Sequence, residues 1–592
     1  MYLIVAYYGV LCYNYYGGVV MYFLIRKTKN KELMYIEKSY RRNGISTSKN
    51  VEKLGDINEY MKTHNMSRDE VIAWGKKRAL ELTGKEKQDS KDIIVSLSQS
   101  SIIDKNKTRL YKAGYLFIQD LYYQLRFDNT FRNIKSKYGF EYDIDSIFSD
   151  LIYSRIIDPG SKLSSYETVK SFLETPKYEL HDVYRALSIL AKEMNYIQSE
   201  IYKNSNLLVK RNNKVLYYDC SNYYFETEDE DDFRKYGKSK EHRPNPIVQM
   251  GLFMDGDGIP LAFSIFEGNS NEQKSLKPLE EMIIKDYEFE SFVVCTDAGL
   301  ASKTNKLFNS IQDRAYIITQ SIKKLNKEYK DFIFTDTNWK RVSDNKKVKL
   351  EDIKLLTDDE ELYYKEIPFK DDEISNQRLI VTYSPVYARY QKNIRDKQII
   401  RAGKIIEAGK LRKARNENDP HRFIKVINTT ETGEIADNSV LILDDSIIDQ
   451  EASCDGLYAL TTNLEDNIAN IMKVAKGRWE IEESFRIMKT DFKARPVYLQ
   501  RQDRIKAHFL TCYTALLILR LLEKKTKDKY TTEQLIDTLR NYNLLKLDEG
   551  YIPAYTRNDI TDNLHNVFGF RTDYQIITPS RIRNIIKNTK KK

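Results

Sequence analysis

The order of secondary-structure patterns between residues 214 and 319 constrains the fold more than any other feature of the sequence. Short apolar runs rich in β-branched and aromatic residues predict buried strands. Five such runs occur, at Val215–Asp219, Ile247–Met254, Ile259–Phe266, Phe292–Thr296 and Ala315–Thr319. A strong turn signal, Asp255-Gly-Asp-Gly258, joins the second and third runs into a hairpin. Helical patterns at residues 272–287 and 301–311 complete the order β-β-β-α-β-α-β.

That order predicts an α/β protein with a ribonuclease H-like core, in which the first and fourth strands are neighbours. The first run ends at Asp219, and Asp297 directly follows the fourth. In α/β folds the carboxyl ends of strands are where active sites form. An Asp at a strand end is also a common turn residue or helix N-cap, and for either residue alone that interpretation is favoured.

A third carboxylate lies in the stretch from Lys476 to Lys489. At about 100° per residue this stretch forms a helix with one apolar face, made by Ile481, Phe485, Met488 and Phe492. The neighbouring face carries charged side chains, namely Arg478, Glu482, Arg486 and Lys489. A core helix with a solvated charged edge would look the same. Three carboxylates on separate elements of one domain are harder to dismiss, so Asp219, Asp297 and Glu482 are the candidate site.

The remainder of the chain is predicted to add modules around this core. Asp297 and Glu482 are too far apart in sequence for a simple crossover, which indicates an insertion. The predicted division is a non-essential extension at 1–20, a small β unit at 21–56, a helical N-terminal module at 57–205, the first part of the core at 206–319, a largely β insertion at 320–463, the second part of the core at 464–526, and a C-terminal helical region with a basic tail at 527–592. The working protein is expected to start near Met21. The helical module fits either scaffolding or DNA-end binding.

Charge and cysteine usage narrow the class of protein. The chain has 96 Lys and Arg against 86 Asp and Glu, a net charge of +10. This mild excess favours a polyanionic partner, although many soluble proteins share it. The five cysteines are scattered and form no metal-ligand cluster, which argues against zinc and disulfides and for a reducing compartment. Met1 to Ile25 is apolar but often interrupted, so we expect a cytoplasmic, nucleoid-associated protein without a membrane anchor.

The motifs around Glu482 match a known family. Arg478, Glu482 and Lys489 fit the spacing of a Tyr-x2-Arg-x3-Glu-x6-Lys signature, and the sequence resembles bacterial insertion-sequence transposases of the Asp-Asp-Glu class whose core is split by a β-rich insertion. Further matches span most of the chain from Met21 onward, at Asp158-Pro-Gly-Ser-Lys162, Phe266-Glu-Gly-Asn269, Asp455-Gly-Leu-Tyr458, Ala494-Arg-Pro-Val-Tyr498 and Arg504-Ile-Lys-Ala-His508. The signature's Tyr position is Ala475 here, which puts one DNA contact in doubt.

The resemblance implies a DNA transposase that cleaves its element's ends and joins them to target DNA. Asp219, Asp297 and Glu482 would bind two Mg²⁺ ions, for which Mn²⁺ can substitute, with Asp219 as the bridging ligand. Arg478 and Lys489, with Arg486 as a weaker candidate, would hold phosphates. Double-stranded DNA, as transposon ends and target, is the implied partner, with a homodimer in the DNA complex.

The same sequence also fits two other functions. A nuclease of the same fold would use the same carboxylates without strand transfer. A non-catalytic DNA-binding protein derived from a transposase is the other alternative, which the loss of the signature tyrosine at Ala475 keeps open. Trp479 could stack on a base, but packing against the insertion is the interpretation that its neighbourhood favours.

Overall fold

The computed structural model describes residues 21–27, 31–42, 45–89, 93, 95, 97–356, 360–370, 374, 376–409, 412–414, 418–429 and 435–591. The predicted extension at 1–20 lies outside the described residues. The chain divides into two compact units. The first comprises 1–107, 546–552 and 574–582, and the second comprises 108–545, 553–573 and 583–592.

The first unit contains an antiparallel meander with two helices. Its elements are β1 (Met21–Lys27), β2 (Glu32–Arg42), β3 (Ile45–Asp56), α1 (Ile57–His64) and α2 (Arg68–Asp89). The Asp56 side chain accepts hydrogen bonds from the first backbone amides of α1 and so begins that helix where the strand ends. Met34, Ile57 and Val71 form one buried cluster that joins the sheet to both helices. The structural division therefore follows residue 107, later than the predicted boundary at residue 56.

The second unit begins with a short strand and a group of helices. They are β4 (Leu110–Lys112), α3 (Tyr115–Gln124), α4 (Phe127–Tyr138), α5 (Ile144–Ile157), α6 (Lys162–Val169), α7 (Leu180–Lys192) and α8 (Met194–Leu208). Ser161 accepts a hydrogen bond from the Ser164 amide at 3.2 Å and is the N-cap of α6.

The middle of the chain alternates strands and helices. In order they are β5 (Val215–Tyr224), β6 (Ile247–Asp255), β7 (Pro260–Glu267), α9 (Gln273–Asp286), β8 (Phe292–Thr296), α10 (Lys303–Phe308), β9 (Arg314–Gln320), α11 (Lys327–Phe334), β10 (Trp339–Arg341), β11 (Lys347–Val348), α12 (Leu350–Lys354), β12 (Tyr363–Pro368), β13 (Arg378–Tyr383), α13 (Pro385–Glu407), β14 (Ile424–Thr429), β15 (Ile435–Leu443), α14 (Asp445–Ser453) and β16 (Leu457–Thr462). The β-β-β-α-β-α-β order predicted for residues 214–319 is thus present.

The C-terminal part is mainly helical. It contains α15 (Ile468–Lys476), α16 (Trp479–Thr490), α17 (Gln502–Lys525), α18 (Thr532–Asn541), β17 (Asn543–Lys546), β18 (Tyr551–Pro553), α19 (Asp559–Phe568) and α20 (Pro579–Thr589).

One mixed sheet organises the second unit. Among the described residues it has ten strands, in the order β11-β10-β12-β13-β16-β9-β8-β5-β6-β7. β5 pairs in parallel with β8 and antiparallel with β6, and β8 pairs in parallel with β9. β16 pairs antiparallel with β9, so strands from the predicted insertion continue the sheet that begins with β5. The hydrogen-bonded ladder therefore runs without a break from the first Asp-bearing strand into the predicted insertion.

One strand-like run in the predicted insertion is helical. Asp331-Phe-Ile-Phe334 has strand composition but ends α11. The Asn326 side chain accepts a hydrogen bond from the Tyr329 amide at 3.1 Å and begins the helix. Tyr329 and Ile333, four residues apart, are both buried on its inner face. The helical spacing of those two residues outweighs the local β propensity.

Helix α17 is the core of the helical layer. It contacts α3, α5, α7 and β7, and its Tyr513 hydroxyl donates to the Leu261 carbonyl at 2.8 Å. Among the described residues it is the one helix long and apolar enough to cross a membrane, but 94% of its apolar window is buried inside the protein. This burial makes α17 a core helix of the protein.

Candidate active site

Strand register places two of the predicted carboxylates side by side. Tyr217 of β5 pairs with Cys295 of β8 in a parallel ladder. Continuing that register by two residues brings Asp219 next to Asp297. Burial raises the pKa of the Asp219 carboxyl to about 6, and the negative charge of Asp297 contributes to the rise, while Lys240 lowers the pKa. The two aspartates therefore interact electrostatically at one edge of the sheet.

Each aspartate uses one carboxylate oxygen locally. The Cys220 amide donates to Asp219 Oδ1 at 2.8 Å, and the Gly299 amide donates to Asp297 Oδ1 at 3.0 Å. Asp297 thus also caps the turn after β8, as the structural interpretation of a strand-end Asp requires. In the part of the chain that the structure describes, the second oxygen of each accepts no protein hydrogen bond. Two hard oxygen donors are therefore available, which fits a divalent cation.

Glu482 lies on a different element and is less closely placed. It is on α16, 59% exposed, with its Oε1 3.2 Å from Arg478 Nη2. α16 packs against β5. In the described part of the chain, the ligand oxygens of the three predicted carboxylates do not all lie within 4.8 Å of one another. The structure brings Asp219 and Asp297 together and leaves Glu482 on the neighbouring helix.

A close contact fixes the junction between α15 and α16 against β5. The Tyr217 hydroxyl donates to the Val474 carbonyl at 3.0 Å. A Cβ added at Gly477 would lie 2.1 Å from that hydroxyl oxygen. The helix is interrupted at this point, because α15 ends at Lys476 and α16 begins at Trp479. The single helix predicted from Lys476 to Lys489 is therefore wrong at its start, because the strand side chain occupies the space at the junction.

This contact predicts a specific effect of a methyl group. Gly477→Ala should destabilise the protein by about 1–3 kcal/mol, as overpacking of a filled core does. Tyr217→Phe removes the nearest atom and leaves the ring carbon at 2.7 Å, so the double variant should lose less than the sum of the single losses. Urea unfolding of the four proteins measures the coupling. Strictly additive losses would show that the hydroxyl does not limit the junction.

Three of the four predicted residues form the apolar face of α16: Ile481 and Met488 are fully buried and Phe485 is 6% exposed. Phe492 is also fully buried but lies two residues beyond the end of the helix. The Tyr223 hydroxyl of β5 lies 3.8 Å from the Met488 sulfur. This packing orients the helix so that its charged residues follow the edge of the sheet. Trp479 was expected to pack against the insertion, but it is 58% exposed.

The three predicted phosphate-binding cations have different environments. The positive charge of Arg478 lowers the pKa of the Asp219 carboxyl, and Arg478 also pairs with Glu482. Lys489 is 14% exposed, its Nζ is 3.7 Å from Glu241 Oε1, and burial lowers its pKa to about 8, with a smaller contribution from Lys240. Arg486 instead donates to both carboxylate oxygens of Glu483 at 2.8 and 2.7 Å. Arg478 and Lys489 therefore face the aspartates, whereas Arg486 is held by an acidic partner on its own helix.

Two residues beside the site were missed by the sequence reasoning. Lys240 and Glu241 lie in the segment between β5 and β6. The positive charge of Lys240 lowers the pKa of both Asp219 and Lys489. Glu241 contacts Lys489 and Arg495. The charged run from Lys238 to Arg243 between two predicted strands was the available signal. It has no periodicity, so only the fold shows where it lies.

A second acidic cluster is an ion-pair network. Asp562, His565 and Asp573 place one potential ligand atom each within 4.8 Å of one another. However, Arg557 donates to both oxygens of Asp562 at 2.7 and 3.0 Å, and Arg571 forms a two-point pair with Asp573. The Arg571 guanidinium holds the pKa of Asp573 at about 2, and burial lowers that of His565 to about 4. The arginines already satisfy the carboxylates that a metal would need.

Comparison with known proteins identifies a matching family. The family described as "Transposase DDE domain" matches residues 215–518, more than half of the chain. The solved structure of a piggyBac transposase synaptic complex with hairpin DNA is 8% identical, with a TM-score of 0.33, over 81% of this chain and 84% of that chain. No curated protein matches the sequence. The matched range begins at the first residue of β5 and ends inside α17, so it contains Asp219, Asp297 and Glu482. Because the match covers more than half of the sequence, the chain belongs to the transposase DDE domain family.

Proposed function

We propose that this protein is a DNA transposase that cleaves the ends of its element and joins them to target DNA. The observation that carries the proposal is the register of β5 and β8, which sets Asp219 beside Asp297 within the matched family domain. The helix that bears Glu482 packs on the same strand. Three acidic side chains around one sheet edge suit phosphodiester chemistry.

The strand order also supports a finer fold proposal. β7-β6-β5-β8-β9, with α9 and α10 between its later strands, has the order of a ribonuclease H-like core. We place the two parts of that core at 206–319 and 464–526, with the insertion at 320–463 between them. The helical N-terminal module would lie ahead of them at 57–205.

Different residues of the chain would bind the cations and the DNA phosphates. Asp219, Asp297 and Glu482 would hold two divalent cations, Mg²⁺ or Mn²⁺, with Asp219 shared. Such cations neutralise charge on the attacking and leaving oxygens of a phosphodiester. Glu482 is exposed, so its side chain is free to turn from Arg478 towards the aspartates. That movement would release the Arg478 guanidinium for a phosphate, with Lys489 beside it and Arg486 as a weaker contributor.

The proposed partners follow from the reaction. Double-stranded DNA would be bound both as transposon ends and as target. Two copies of the chain would act together in the DNA complex, one at each end of a bacterial insertion sequence. A cytoplasmic, nucleoid-associated location suits such a substrate, as does the net charge of +10.

A joining assay separates the proposal from its alternatives. The protein, a labelled duplex that carries the inverted repeats flanking its gene, a supercoiled plasmid and Mg²⁺ are incubated together. Cleaved ends covalently joined to plasmid are expected. Cleavage without joined product would identify a nuclease. Stable binding without metal-dependent cleavage would identify a DNA-binding derivative, the alternative that Ala475 at the signature tyrosine position keeps open.

Lys489 provides a pH-dependent test of the phosphate contact. Because its pKa is about 8, raising the pH from about 7 to about 9 removes its proton and should weaken DNA binding. Lys489→Arg keeps its charge and should lose less affinity over this range. Lys489→Gln should reduce the slope of log affinity against log salt by about 0.9. Fluorescence anisotropy without metal measures all three, and identical pH profiles for the lysine and arginine proteins would remove Lys489 from the DNA contact.

A further inference from the structure

Helix α13 presents a basic row that the candidate active site does not use. Its exposed face carries three cations, here called the basic row, at Lys397, Arg401 and Lys404. At about 100° per residue they lie within an arc of about 60°. The whole helix has six Lys and Arg against two Asp and Glu. This excess is far larger than that of the complete chain, which has 96 against 86.

The inward face of α13 fixes the direction of the basic row. Arg395 is buried and pairs with Asp455, and Ala402 is fully buried. The Gly456 amide donates to the Gln391 side chain at 2.8 Å. The helix is therefore anchored along one side, and the basic row must face outward.

The row has no acidic partner in the described ranges of the chain. There, Lys397, Arg401 and Lys404 form no ion pair or side-chain hydrogen bond. By contrast, Arg395 on the inward face and Arg422 nearby are both paired with carboxylates. Like charges at three- and four-residue spacing on a helix repel one another. A polyanion along the row would remove that repulsion.

The first turn of α13 lies near the candidate active site. Tyr387, in the first turn of α13, and Arg478 both lie within electrostatic reach of Tyr458, whose pKa is raised mainly by burial. The Tyr458 hydroxyl is 2.7 Å from Thr319 Oγ1 on the central sheet. The start of α13 is thus close to the helix that carries Glu482. At about 1.5 Å per residue, Lys397 lies about 15 Å and Lys404 about 26 Å further along the helix axis than Tyr387.

We propose that the basic row of α13 binds the phosphate backbone of duplex DNA and extends the DNA contact beyond the active site. The proposal rests on the proposed function, since it assumes a DNA substrate. A fixed helical face with unpaired cations spaced by about 4.5 to 6 Å along the axis suits contacts to several phosphates of one duplex. It gives no base-specific contact, so the binding would not depend on sequence.

The test compares two triple variants of the full chain. Lys397→Gln/Arg401→Gln/Lys404→Gln removes three charges from the row. Lys346→Gln/Lys347→Gln/Lys349→Gln removes three exposed charges elsewhere in the same predicted insertion and serves as the matched control. Affinity for a 30-base-pair random-sequence duplex is measured by anisotropy at several salt concentrations, without metal. The row variant should lower the salt slope by about 2.7, or about 0.9 for each phosphate contact, and the control should leave it unchanged.

Each other outcome has a definite meaning. Wild-type slopes in both variants, with DNA binding intact in the parent, would overturn the row as a DNA contact and leave the proposed function standing. Absence of DNA binding by the parent protein would overturn both proposals. A changed sedimentation coefficient of the row variant with an unchanged slope would identify the row as a contact between copies of the chain, and would also overturn the proposal. Equal melting temperatures confirm that all three proteins are folded.

Discussion

Replacing Asp219, Asp297 or Glu482 with its amide should abolish metal-dependent cleavage of the DNA ends while DNA binding persists. The amide keeps the size of the side chain and removes the charge that a cation needs. Loss of one ligand removes several kcal/mol of transition-state stabilisation, which corresponds to a rate loss of at least about a thousandfold. Asp219→Asn keeps an oxygen that accepts from the Cys220 amide, so the local fold should survive.

The matched control for this experiment lies on the same helix. Glu483→Gln removes a carboxylate that pairs with Arg486, without touching the aspartates. It should cleave at nearly the parent rate. Cleavage and gel-shift assays on the same preparations separate catalysis from binding. A parent-like rate in any of the three site variants would remove that residue from the catalytic set.

Arg211→Met should destabilise the protein by about 3–5 kcal/mol, the cost of leaving a buried carboxylate without its partner. Arg211 pairs with Asp255, and both side chains are 0% exposed. The guanidinium also donates to Ser205 Oγ at 2.7 Å and to the Pro260 carbonyl at 2.8 Å. It therefore ties the end of α8 to the hairpin between β6 and β7, next to the Asp219 strand.

The same substitution at an exposed pair gives the comparison. Arg501 pairs with Asp503 at 2.7 Å, with the arginine side chain 61% exposed. Arg501→Met should cost less than about 1 kcal/mol, as exposed ion pairs do. Urea unfolding monitored by tryptophan fluorescence measures both losses. Similar losses for the two variants would show that burial does not set the cost at Arg211.

Local patterns predicted the elements that position the site. Short apolar runs predicted the strands of both aspartates, but β5 continues past Asp219 to Tyr224, whereas β8 ends just before Asp297. The apolar spacing of Ile481, Phe485 and Met488 predicted the buried face of α16. These signals depend on neighbouring residues along the chain, so the sequence displays them directly. The catalytic assignment of the three carboxylates itself stays a prediction.

Features set by distant parts of the chain were not predictable in this way. The break at Gly477 depends on Tyr217, a side chain from a strand more than two hundred residues earlier. The position of Lys240 beside Asp219 depends on the path of an irregular segment. The segment from Asp331 to Phe334 has a composition typical of a strand, but it is helical because Tyr329 and Ile333 are buried at helical spacing. Pairwise packing across the fold decides such positions.

The pairing of β16 with β9 has a mechanical consequence for DNA engagement. Four residue pairs, from Ala459–Gln320 to Thr462–Ile317, connect the two strands in one ladder. A module joined to a core only by loops can turn about them as a hinge, but a module that shares a sheet with the core cannot turn without bending or breaking backbone hydrogen bonds. A load placed on α13 by a bound duplex would therefore be transmitted through β13, β16 and β9 as a change in sheet twist, and would reach the edge where Asp297 and Asp219 lie.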